Sequence, residues 1–68
     1  MINWNNVFKT PINVDIFKSF ARGTLPKNDL LSILAHSDIS SEIRGVIRKR
    51  GTKRVRDAAH RALSRRGL

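Results

Sequence analysis

Apolar and polar positions along this chain repeat at helical spacing. Ile12, Ile16, Phe17, Phe20 and Ala21 recur three and four residues apart, with Asp15, Lys18, Ser19 and Arg22 between them. That pattern predicts an amphipathic helix whose apolar arc is broad enough for two neighbours. Thr10 precedes Pro11, an N-cap followed by proline at the first helical position, where its missing N–H costs nothing. The helix is expected to run to Arg22 and stop at Gly23, a residue that accepts the left-handed C-cap conformation. The alternation Ile12-Asn13-Val14-Asp15-Ile16 would suit a strand, but Phe17 and Phe20 continue the helical spacing and decide the reading. Upstream, Asn3 is placed to cap a short turn in which Trp4, Val7 and Phe8 share one face.

Downstream, the segment from Thr24 to Asp29, with Pro26 inside it, predicts the next helix start. Leu30, Leu31, Ile33 and Leu34 form its buried stripe, which ends near His36 and Ser37. Ser40 predicts another cap, and Glu42 in the following turn suits the positive end of a helix dipole. Ile43, Val46 and Ile47 then face inward. Gly45 lies opposite them, at a cost of about 1 kcal/mol relative to alanine. Two readings fit it equally: close approach of a ligand or partner to the backbone, or a tolerated weak position. Arg50-Gly51 closes this helix and Thr52 is expected to cap the last one. Val55, Ala58, Ala59, Ala62 and Leu63 give that helix a single apolar face, ending at Gly67. No strand, repeat or low-complexity tract is visible. The expected fold is all-α: one domain over residues 1–68, a compact bundle of three to four short helices. Its C-terminal pair has a connection, Arg50-Gly51-Thr52, with the length and chemistry of a helix-turn-helix hairpin.

Charge divides the chain in two. Residues 1–40 hold four basic side chains against Asp15, Asp29 and Asp38, a net of +1, whereas residues 41–68 hold ten against Glu42 and Asp57, a net of +8. The first half also carries most of the large apolar residues, so it reads as scaffold and the second half as working surface. A 68-residue chain without cysteine has a small core and no disulfide or thiolate metal site to reinforce it. A homodimer or a bound partner is expected to relieve that marginality.

A net charge of +9 is well beyond what solubility needs and points to a polyanionic partner. Within residues 41–68, eight of the ten basic residues are arginine. Arginine presents a planar fork that grips phosphate bidentately and can read guanine O6 and N7, whereas solubility alone could use lysine. Advancing about 100° per residue from Val55 puts Arg54, Arg61 and Arg65 within an arc of about 40°, one ridge along the flank of the last helix. Arg56 and His60 fall on the other flank. Lys53 and Asp57 point outward, with Asp57 able to pair with Lys53 or Arg61. The preceding helix adds Arg44 and Arg48 on one side and Lys49 on the other. An ordinary solvated face would mix these charges with acids instead of crowding them at one terminus.

The expected phosphate and base contacts are therefore Arg44, Arg48, Lys49, Arg50, Lys53, Arg54, Arg56, Arg61, Arg65 and Arg66. The expected function is that of a DNA-binding regulator or accessory factor, with duplex DNA the favoured target and RNA an alternative. A different class also fits, an interaction protein whose cationic face covers an acidic protein surface, such as the nucleic-acid channel of an enzyme it inhibits.

No catalytic, metal or cofactor site is expected, nor a small-molecule substrate. His36 and His60 stand apart from any converging set of groups, the carboxylates are not clustered, and no glycine loop cradles a phosphate. The run Leu30–Ala35 is too short for a bilayer, and the last helix's apolar face, mostly alanine, is too shallow for interfacial insertion. The absence of a signal-like segment and of cysteine fits a cytoplasmic or nucleoid-associated location. Trp4 and Phe8 are expected to close the core. With no aromatic residue in the basic half, single-strand stacking lacks an evident platform.

Overall fold

Three of the five helix starts are built by side chains that sit where the sequence places them. In the computed structural model, which describes residues 1–68, Asn3 Oδ1 accepts from Asn5 N, Thr10 Oγ1 from Asn13 N and Ser40 Oγ from Ile43 N. They open α1 (Trp4–Val7), α2 (Pro11–Ala21) and α4 (Ser41–Lys49) respectively. The other two helices, α3 (Lys27–Leu34) and α5 (Thr52–Arg65), start at Pro26 and Gly51 without a side-chain cap. Thr52 is thus the first helical residue of α5, and its expected role as the cap passes to Gly51. No strand is present.

Both longer C-termini close in the same way. At the end of α2, Thr24 N donates to Ser19 O and Gly23 N to Phe20 O, with Gly23 at a φ of 87°. At the end of α5, Leu68 N donates to Leu63 O and Gly67 N to Ser64 O, with Gly67 at 70°. These are paired C-cap bonds around a left-handed residue, the conformation in which glycine avoids a Cβ penalty.

The core gathers Ile2, Val7, Phe17, Phe20, Leu30, Leu34, Ile39, Ile47, Val55 and Ala59. Phe17 organises the aromatic part. Its ring meets Trp4 and Phe8 edge-on at centroid distances of 5.7 and 5.8 Å, while Trp4 and Phe8 stack on one another at 5.3 Å. Such offset and edge-to-face pairs add to the area they bury. The chain packs into an envelope of 26 × 23 × 22 Å. α5 lies mainly on α2, and α4 mainly on α3. The two basic helices are therefore consecutive in the chain, yet each rests on an earlier helix more than on the other. No helix is long and apolar enough to cross a membrane.

The inward face of α2 keeps Phe17 and Phe20, with Ile16 and Ala21 packed against the core, and departs from the expected arc only at its start. Ile12 is 72% exposed, whereas Asn13 is buried. Asn13, Phe17 and Phe20 share the buried stripe, so the residue after Pro11 turns outward. On α3, Leu30 and Leu34 are fully buried and Ile33 is exposed, which narrows the expected stripe to one side. α3 also ends at Leu34, with Ala35 as its C-cap, before His36 and Ser37. Ile2 and Ile39 enter the core from outside any helix.

Candidate nucleic-acid interface

α5 carries three arginines, Arg54, Arg61 and Arg65, that pair with no carboxylate. Its register on α2 buries Val55, Ala59, Ala62 and Leu63 and leaves Lys53, Arg54, Arg61 and Arg65 exposed. Arg54, Arg61 and Arg65 line one groove of about 350 Å³, as the helical spacing predicts. Arg50, at the C-cap of α4, joins them. None of the four guanidinium groups takes part in a salt bridge: the two ion pairs of the molecule are Lys9–Asp38 at 3.2 Å and Lys53–Asp57 at 3.5 Å. Asp57 therefore chooses Lys53, one turn back on α5, and leaves Arg61 without a carboxylate.

The groove's lining also includes apolar residues, and they come from both ends of the chain. They are Ile2 and Trp4 from the N-terminal end, with the exposed Met1, and Ala58 and Ala62 from α5. A second, more open hollow shares Arg54 and Arg61 and continues along α5 past Lys53, Asp57 and the Gly51–Thr52 turn. The two hollows form one arginine-lined track along the helix. At 1.5 Å rise per residue, Arg54 and Arg65 stand roughly 16 Å apart along it.

The remaining candidate residues separate into two groups. Arg56 and Arg66 are engaged within the fold. Arg56 Nε donates to Phe20 O at 2.7 Å, its second nitrogen reaches Leu25 O at 3.5 Å, and its guanidinium lies 4.9 Å from the Phe20 ring centroid. Arg66 donates to Ala62 O at 3.0 Å and to Asn5 Oδ1, and it covers the Phe8 ring at 5.2 Å. Both satisfy backbone carbonyls and aromatic faces, partners that helical periodicity alone does not reveal. Arg44, Arg48 and Lys49 lie on α4 and line neither hollow; Arg48 and Lys49 are exposed, and Arg44 is half-buried with its Nε desolvated and unpartnered.

One functional neighbour comes from the near-neutral half. Lys27 Nζ donates to Arg48 O at 2.9 Å and to Arg50 O at 2.5 Å. It satisfies carbonyls at the C-terminus of α4, where a cation also complements the helix dipole, and so it fixes the turn that presents Arg50. A lysine near its own helix C-terminus is a readable signal. One reaching from the start of α3 to the end of α4 is not. The Gly45 backbone, by contrast, is open: a Cβ built there meets nothing within 4 Å.

Comparison with protein-family models, with curated proteins and with solved structures finds no match to this chain.

Proposed function

We propose that this protein binds nucleic acid through the phosphate backbone, as a small regulator or accessory factor, with the arginine track of α5 as its contact surface. The observation that carries this reading is the convergence of Arg50, Arg54, Arg61 and Arg65 on one groove, with no acidic residue in its lining and no ion pair to any of them. Guanidinium groups held together without counter-charges repel one another, and an arriving phosphate relieves that repulsion while gaining bidentate hydrogen bonds. The net charge of +9 adds long-range attraction that speeds encounter.

The test is a salt titration of purified protein against duplex DNA and RNA. If roughly four phosphates are neutralised, log K falls against log salt with a slope of about −3 to −4. An acidic protein surface is the competing partner. It predicts no measurable binding to either polymer at physiological salt, together with recovery of a protein partner from nuclease-treated lysate.

A further inference from the structure

The apolar residues in the lining of the arginine groove have no counterpart in simple backbone binding. Phosphates satisfy guanidinium groups, but Ile2, Trp4, Ala58 and Ala62 offer nothing to a phosphate. A continuous duplex keeps its bases stacked inside and meets a shallow groove with sugar and phosphate, so it leaves Trp4 without a partner. An unpaired nucleotide has both parts: a charged phosphate and a flat, largely apolar base.

We propose, resting on the nucleic-acid reading above, that this groove takes an unpaired nucleotide of a single strand. Its phosphates lie against Arg50, Arg54, Arg61 and Arg65, and its base lies against the indole of Trp4. The chain contains one tryptophan, and folding carries it from the near-neutral end of the sequence into the lining of the arginine groove. Trp4 is half-buried, stacked on Phe8 and braced edge-on by Phe17. A base that meets it finds an indole already fixed in orientation, so little side-chain entropy is lost on contact. A groove of about 350 Å³ falls within the volume range of small-ligand sites. The track then continues past Arg54 and Lys53, which gives neighbouring phosphates of the same strand somewhere to go. Aromatic platforms beside a cationic groove are the general physics of single-strand binding, tolerant of sequence because every base has a π face.

Trp4 supplies its own reporter, since it is the chain's sole indole. The experiment titrates the intact protein with oligothymidylate and with a blunt duplex of equal length, at equal salt, following tryptophan emission and, separately, anisotropy of labelled nucleic acid. The expected result is quenching of Trp4 emission by the single strand and little by the duplex. Single-strand affinity should be about fivefold or more higher, the least that one stacked base contributes. Trp4→Leu should erase that preference while leaving the salt slope in place. Quenching in the unaltered protein keeps the test decisive even if the variant folds poorly. Equal affinity for both polymers without a change in emission overturns the inference and leaves phosphate binding standing. Failure of both polymers to bind at low salt overturns the nucleic-acid reading along with it.

Discussion

Arg56 and Arg61 are the same residue type on the same helix, and their surroundings give them different tasks. Arg56 is half-buried and donates to the carbonyls of Phe20 and Leu25, whereas Arg61 is exposed and free of any carboxylate. Arg56→Ala removes the charged donor to Phe20 O and Leu25 O, leaving Phe20 O with Gly23 N alone, and takes the cation from the Phe20 ring. It is expected to destabilise the fold by roughly 1–3 kcal/mol. Arg61→Ala is expected to stay within about 0.5 kcal/mol of the parent, as surface substitutions do, while weakening binding. Thermal denaturation of both variants beside a binding isotherm separates the two roles. Asp38 gives a pH counterpart. The hydrogen bond from Lys9 holds its carboxyl below the usual carboxylate range, and the Lys9 charge and the Asn13 amide act in the same direction. A carboxyl depressed in the folded state contributes stability above its unfolded pKa of about 3.9, and that contribution is lost as pH falls through the lower folded value. Asp38→Asn should therefore lower the melting temperature slightly at pH 7 and flatten its decline toward pH 3. An identical pH profile for variant and parent would remove Asp38 from the acid response.

At the scale of elements, what was legible in the sequence is what depends on near neighbours along the chain. The caps at Asn3, Thr10 and Ser40, the glycine stops at Gly23 and Gly67, and the apolar face of α5 follow from local chemistry, and the structure contains them all. Where the inward face of α2 begins was not legible. Ile12 and Asn13 adjoin at its start, and helical spacing alone does not say which of them turns inward; Asn13 does, although its amide nitrogen is left there without a hydrogen-bond partner. The helix-turn-helix reading of Arg50-Gly51-Thr52 rests on the connection, while the main packing of α4 and α5 is on α3 and α2. Two substitutions test the elements. Phe17→Ala removes the ring that braces Trp4, Phe8 and Phe20, and should cost about 3–5 kcal/mol in chemical denaturation. Gly45→Ala should stabilise α4 by up to about 1 kcal/mol, because the added methyl meets open space and the helix gains a better former. Unchanged nucleic-acid affinity in Gly45→Ala is the expected companion result, since Gly45 lines neither hollow; a loss of affinity would instead assign its backbone to the binding face.

Across the whole molecule, the division into a neutral scaffold and a basic surface holds for charge but not for the site. The groove is assembled from α5 and Arg50 together with Met1, Ile2 and Trp4, and Lys27 steadies the turn beside it. Those contributions cross most of the sequence, and no local pattern announces them. They also supply a way to tell a surface from a diffuse charge. Arg61→Gln with Arg65→Gln removes two cations from the groove. Lys18→Gln with Arg22→Gln removes two from a different hollow, lined also by His60 and Leu63. Both pairs lower the net charge from +9 to 9 − 2 = +7, and none of the four side chains is in an ion pair. Stability is therefore expected to change little in either. Long-range attraction falls equally in both, so a diffuse mechanism predicts equal losses of affinity. Local phosphate contacts predict that the groove pair shrinks the salt slope by about 2, one unit for each contact removed, while the other pair leaves it nearly unchanged. Replacing Arg61 and Arg65 with lysine completes the test. Charge is then restored without the planar fork, so the slope should return while affinity stays below that of the parent. Equal slopes for the two glutamine pairs would move the binding surface off α5, whatever polyanion the protein meets.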